Sequence, residues 1–240
     1  MKIYTSKGII FKSLKYSETS IICDIYTREK GLRSFIISGV RTSKAGSKAA
    51  IYQHLNLVEL ISYDQDADKL ARIKEIRLDH HYQYINTHVV ISSIAIFMLE
   101  VSRNAVREKE ANTELFDFLE NWLLFLDSAP STHPCIHLLY MLQLSNELGF
   151  GPMNNFSAKN CFFDMMEGSF SDNIIPEYSL NEEESKAFKL LLEINRDQII
   201  NISIPKSLRD VMTEHLITYF RLHISGFRTL NSLEVLRSVL

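Results

Sequence analysis

Lys30, Arg33, Arg41, Lys44 and Lys48 fall within nineteen residues that contain no Asp or Glu. Cations at this spacing, with no acid among them to pair with, can neutralise the phosphates of a nucleic acid and release its counterions. Lys12, Lys15 and Arg28 precede this run, and Arg72 and Lys74 follow it. All ten are candidate DNA-binding residues, with Tyr16, Tyr26, Phe35 and Tyr52 as platforms on which bases could stack. Each type also has a plain structural use. Lysines solvate loops and protect sheet edges, and aromatic rings fill barrel cores.

Charge by position supports the same partner class. Residues 1–78 hold 14 Lys+Arg against 8 Asp+Glu, a net of +6, whereas the other 162 hold 12 against 21, a net of −9. The near-neutral total of −3 thus combines a basic N-terminal segment with an acidic remainder, and only the first suits a polyanion.

Other chemistry finds little support. His133, Cys135 and His137 resemble a ligand set on paper. Only the two histidines, four residues apart, could share a helix face, so a metal there is not expected. His80-His81 marks a domain boundary, since adjacent helical positions do not converge. No phosphate-binding glycine loop and no nucleophile elbow occur, and Glu182-Glu183-Glu184 reads as a solvated helix start. The sequence predicts no enzyme, no cofactor and no small-molecule substrate.

The elements that must position these residues change character near His80. Before it, β-type runs at 7–16, 20–27, 32–40, 55–63 and 70–78 are separated by turns, including Arg28-Glu29-Lys30-Gly31. Residues 41–53 interrupt the runs with a short helix or ordered loop. Three strands, a helical interruption and two strands is the chain order of an OB-fold, and an SH3-like barrel shares the strand count. After His80, periodic apolar residues predict helices over 82–106, 114–126, 134–148, 182–194, 206–224 and 230–239. Trp122 reads as a core anchor, Asn181 as a helix cap and Gly149 as a helix stop. Residues 154–178 break the order as a loop or small insertion.

The expected architecture is therefore α+β and multidomain: an OB-fold barrel over 1–79 and a helical bundle over 80–240. An apolar content of 46% suits packed cores. Three scattered cysteines imply no disulfide framework. With no membrane span and no signal sequence in the chain, a cytoplasmic protein is expected.

An ordered set of short motifs resembles the RecO family of bacterial DNA-repair proteins. It runs through Gly8-Ile9-Ile10-Phe11-Lys12, Tyr16-Ser17-Glu18-Thr19, Tyr26-Thr27-Arg28-Glu29-Lys30-Gly31 and Gly39-Val40-Arg41. It continues in Leu148-Gly149-Phe150-Gly151-Pro152 and Gly226-Phe227-Arg228-Thr229-Leu230-Asn231-Ser232. The resemblance implies an OB domain joined to a helical domain. It also implies binding to single- and double-stranded DNA at the nucleoid, strand annealing, and recombination mediation without catalytic turnover. The implied partners are RecR and the tail of single-strand DNA-binding protein, with RecA loading as the outcome. Leu138, Tyr140 and Leu142 are candidate contacts for that tail; they read more readily as helix core.

Many members of that family carry a four-cysteine zinc site after the Leu-Gly-Phe-Gly-Pro segment. Here Cys161 holds the first position, Asp164 replaces the second cysteine, and none follows. A degenerate, zinc-less insertion is expected, packed by Phe162, Phe163, Met165 and Phe170. Two other readings of the chain are an OB-fold adaptor with weak nucleic-acid binding and an RNA-binding or nuclease-associated module.

Overall fold

A computed structural model describes residues 2–40, 46–106 and 109–240. Its strands are β1 (Ile3–Lys15), β2 (Ile21–Thr27), β3 (Gly31–Ile37), β4 (Leu57–Tyr63), β5 (Ile73–Leu78), β6 (Phe162–Asp164) and β7 (Ser169–Ser171). Its helices are α1 (Val89–Ala105), α2 (Thr113–Leu126), α3 (Ile136–Glu147), α4 (Glu182–Leu192), α5 (Lys206–His223) and α6 (Leu233–Val239). They form two compact units, Met1–Thr87 with Val106–Ser128, and His88–Ala105 with Ala129–Leu240. The chain therefore passes between the units three times. Residues 80–87 and α2 belong with the barrel rather than with the other helices.

In the barrel unit the five antiparallel strands lie in the order β3-β2-β1-β4-β5. A parallel bridge between Phe35 and Ala71 closes the ring. There the Ile36 N–H donates to the Ala71 carbonyl and the Ala71 N–H to that of Ser34, both at 3.0 Å. A 3-10 helix over Gly46–Tyr52 separates β3 from β4, completing the OB-type order. β1 serves two partners, pairing β4 with its first half and β2 with its second. A register shift between Ile10 and Lys12 lets it bend from one to the other. Ile10, Cys23, Ile25, Phe35, Val58 and Leu60 fill the interior. Gly8 is required there, because a Cβ would stand 2.6 Å from Ile25 Cγ2. Gly31 ends the β2–β3 turn at φ 67°, a conformation that favours glycine.

The second helix begins with the Asn112 side chain accepting the Leu115 N–H. Its buried Phe116 stacks on Tyr26 at 6.2 Å, and Tyr26 stacks on Phe11 at 5.4 Å, so α2 lies over the outer face of β1 and β2. Trp122 is buried on the same helix. Just beyond its end, Asp127 accepts the N–H groups of Gln83, Tyr84 and Ile85 at 2.8, 2.8 and 2.9 Å. Those bonds go to a carboxylate instead of a helical ladder, which is why the helix expected from Tyr82 starts at Val89.

The helical unit packs the other five helices, with α3 buried on all sides from Ile136 to Leu142. Asn181 and Glu184 form a reciprocal capping box at the start of α4. The irregular stretch resolves into the β6–β7 hairpin, where Phe163 and Phe170 are fully buried and Phe163 stacks on Phe188 at 4.1 Å. Met165 is also buried, while Phe162 is half-buried. Asp164 closes the hairpin turn, its Oδ1 accepting the N–H groups of Met166 at 2.8 Å and Glu167 at 3.3 Å. No helix among the described residues is long and apolar enough to cross a membrane.

Candidate nucleic-acid interface

Strand register decides which side chains share a surface, because residues directly opposite in an antiparallel pair point the same way. On the outer face of β1–β3, one row reads Lys12, Asp24, Ser34 and the next reads Leu14, Ile22, Ile36. The row on the other side, Ile9, Tyr26, Leu32, is the one under Phe116 of α2. Half of this face is therefore covered and half is open. The open half holds Leu14, 50% exposed, followed two residues on by Tyr16, 60% exposed. The Tyr16 N–H donates to the Ser20 carbonyl at 3.0 Å, fixing the β1–β2 turn beside it.

The ten candidate cations separate by what they already touch. Lys15 and Arg72 are exposed and Lys12 is half-buried. None of the three has a carboxylate within ion-pair distance among the described residues. Asp24 opposite Lys12 instead accepts the Ser34 hydroxyl at 2.6 Å. Arg72 directly follows Ala71, the residue that closes the barrel beside Phe35.

The remaining cations are engaged or lie elsewhere. Arg28 grips Asp117 of α2 with two bonds, Nε to Oδ1 at 2.7 Å and Nη2 to Oδ2 at 2.8 Å. That contact raises the Arg28 guanidinium above its ordinary pKa and lowers the Asp117 carboxyl. Lys30 meets Asp64 at 3.3 Å and lies over the Tyr4 ring, and Lys74 meets Glu75 at 3.8 Å. Arg33 donates through Nη1 to the carbonyls of Leu32 at 2.9 Å and Lys109 at 2.6 Å. Arg41, Lys44 and the Lys48 side chain lie outside the described residues.

Three of the four proposed stacking platforms are corrected by burial. Tyr26 and Phe35 are fully enclosed and Tyr52 is 6% exposed, so only Tyr16 can meet a base. Sequence reasoning missed Leu14 as a surface residue, although the alternation of 12, 14 and 16 marks one face. It also missed the acids of α2. Glu120, with Asp79, holds Lys7 at 2.9 and 3.0 Å and raises its pKa, just as Asp117 holds Arg28.

On the opposite side, Thr5, Glu59, Ile61, Glu75 and Arg77 line an open cleft of about 400 Å³. Arg77 is paired with Glu59, so this cleft offers a polyanion an acidic surface.

The tail contacts proposed on α3 are also corrected. Leu138, Tyr140 and Leu142 are 0, 1 and 2% exposed, and the Tyr140 hydroxyl is bonded to Ser102 Oγ at 2.5 Å. They form core. His137 is enclosed too, with Nε2 on Thr213 Oγ1 at 2.9 Å and a pKa pushed down to about 3 by burial. Among the described residues no three His, Cys, Asp or Glu side chains gather as a metal would require.

Comparison with known proteins covers nearly the whole chain. The family model described as "Recombination protein O N terminal" matches residues 1–82, and "Recombination protein O C terminal" matches residues 89–234. A "DNA repair protein RecO" from Christiangramia forsetii is 33% identical over 100% of this chain and 99% of its own. Proteins of the same description from Phocaeicola vulgatus and Flavobacterium psychrophilum are each 32% identical, covering 97% and 100% of this chain and 97% and 99% of theirs.

Proposed function

Because the chain belongs to the RecO family of DNA repair proteins, we propose that its barrel binds single-stranded DNA on the open half of the β1–β3 face. The observation that carries this reading is the conjunction found there. Two cations without acidic partners, Lys12 and Arg72, accompany an exposed Tyr16 and Leu14, and Lys15, in the row of Ile21 and Ile37, is exposed at the end of β1 beside them. The cations neutralise phosphates without reading sequence, and a base lies on the Tyr16 ring. Duplex DNA is held by the phosphate contacts alone. Bringing complementary strands together while reducing their repulsion is sufficient for annealing, with no bond made or broken by the protein. RecR and the tail of single-strand DNA-binding protein are the proposed protein partners, and RecA loading is the proposed outcome. The tail site does not include Leu138, Tyr140 or Leu142.

The test compares binding of a labelled single-stranded DNA oligomer by wild type and by a Lys12→Glu, Lys15→Glu, Arg72→Glu variant. Affinity is expected to fall by about a hundredfold or more at low salt, with thermal stability nearly unchanged. Unaltered affinity in the folded variant moves the DNA surface elsewhere.

A second reading has one observation in its favour. Counted by unit, the barrel unit holds 16 Lys+Arg against 15 Asp+Glu, and the helical unit 10 against 14. A barrel so nearly neutral also suits an OB-fold adaptor for proteins. Weak DNA binding by the wild type even at low salt selects that reading.

A further inference from the structure

The helical unit contains a second acid-free run. Between Glu214 and Glu234 no Asp or Glu occurs, while Arg221 and Arg228 do. These two arginines differ from the other cations of their unit. Lys159, Lys186 and Lys189 meet Asp172, Glu182 and Glu193 at 3.4, 2.6 and 3.2 Å. Arg103 lies 4.0 Å from Glu100, and Arg237 is paired with Glu214 and Glu234. Lys206 and Arg209 donate to backbone carbonyls. The side chains of Arg221 and Arg228 are exposed and have no partner among the described residues.

The backbone that presents them is held at several points. Phe220 and Phe227, the residues just before the two arginines, are buried with their rings 5.5 Å apart. The Phe227 N–H closes a turn on the Ile224 carbonyl at 3.1 Å, and the Asn104 amide reaches the Arg228 carbonyl at 3.5 Å. Leu230 is buried next. Glu100 then takes the Asn231 and Ser232 N–H groups at 3.1 and 2.8 Å, and the Ser232 hydroxyl at 2.6 Å. A short connection anchored on both sides thus leaves Arg228 and Thr229 outside, a few residues after Arg221 in the last turn of α5.

We propose that Arg221 and Arg228 form a second nucleic-acid site, which holds the phosphates of another single strand on the same chain. Arginine suits this role because its fork of donors binds phosphate oxygens in two-point fashion. A turn fixed in advance lowers the ordering cost of that contact. Among the described residues no exposed aromatic ring follows Arg221 or Arg228 in this stretch, so the pair binds backbone and ignores sequence, as a site for any complementary strand must. The proposal rests on the barrel as the first site, since the second gains its use from a strand already held.

The experiment uses the full chain and three measurements. Two non-complementary single-stranded DNA oligomers, one carrying a donor dye and one an acceptor, report simultaneous occupancy through energy transfer. Anisotropy of one oligomer alone reports the first site, and quenching of a complementary pair reports annealing rate. In an Arg221→Glu, Arg228→Glu variant, single-oligomer affinity is expected to stay within about threefold, while energy transfer is lost and annealing slows about tenfold or more. Arg221→Gln with Arg228→Gln gives an intermediate loss and guards against effects of charge reversal on folding. Energy transfer and annealing that persist in the folded variants overturn the second site while leaving the first intact. A wild type that binds one strand but never two does the same. A wild type that binds none removes the barrel site and this one together.

Discussion

Glu100 is an acid with most of its oxygen lone pairs in use. Burial alone would raise its carboxyl, but the hydroxyl and N–H of Ser232 and the N–H and amide of Asn231 outweigh that and hold it below the ordinary carboxylate range. A carboxyl depressed in the folded state stabilises the fold above its unfolded pKa. That contribution disappears as pH falls through the folded value. Stability is therefore expected to decline as pH drops below about 4.5, the ordinary value for such a group. Glu100→Gln should flatten part of this decline, because the amide keeps one acceptor and carries no charge to lose. Glu100→Ala should cost about 2–4 kcal/mol at neutral pH by leaving the buried N–H and hydroxyl of Ser232 unpaired just before α6. Thermal melts of the three proteins from pH 3 to 7 check both. A pH profile for Glu100→Gln that follows wild type would assign the decline to other carboxyls.

At the scale of elements, α2 has two attachments to the barrel, one apolar and one ionic. Phe116 against Tyr26 supplies the first, and Asp117 to Arg28 with Glu120 to Lys7 supplies the second. Exposed ion pairs contribute little to stability, so the helix stays docked through its buried face when they are removed. Asp117→Asn with Glu120→Gln is expected to leave the melting temperature within a few degrees of wild type. The same change removes two negative charges and releases two cations at the covered end of the face, beyond the Tyr26 row, so affinity for single-stranded DNA at low salt should rise about threefold or more. Equal affinity would mean that the strand never reaches Arg28 or Lys7.

This helix also marks the limit of what the sequence conveys. Its existence and the anchoring role of Trp122 follow from local pattern, as do the five strands and the interruption between the third and fourth. That Asp117 sits on Arg28 does not, because the two are far apart in the chain and nothing local links them. The ten cations consequently looked alike in sequence, and only their partners distinguish Lys12, Lys15 and Arg72. Asp127 illustrates the same limit. Its hold on the N–H groups of residues 83–85 cancels a helical start that apolar periodicity alone supports.

For the whole molecule, the apparent split between a basic head and an acidic body softens once α2 joins the barrel unit. With 16 cations against 15 acids, that unit has almost no net field to draw in a polyanion from a distance. Binding then depends on local contacts, and its salt dependence counts them. On a single strand, log affinity falls by roughly 0.7 per neutralised phosphate for each unit of log salt. Lys12, Lys15 and Arg72 alone predict a slope near −2, and adding Arg41, Lys44 and Lys48 takes it to about −4. All ten candidates acting together would give about −7. The expected slope lies between the first two values, and the Lys12→Glu, Lys15→Glu, Arg72→Glu variant should flatten it by about 2. Titrations of one oligomer at four or five salt concentrations settle the matter. A slope near −7 would mean that the strand displaces Asp117, Asp64 and Glu75 from their cations, making those acids place-holders for phosphate rather than permanent partners.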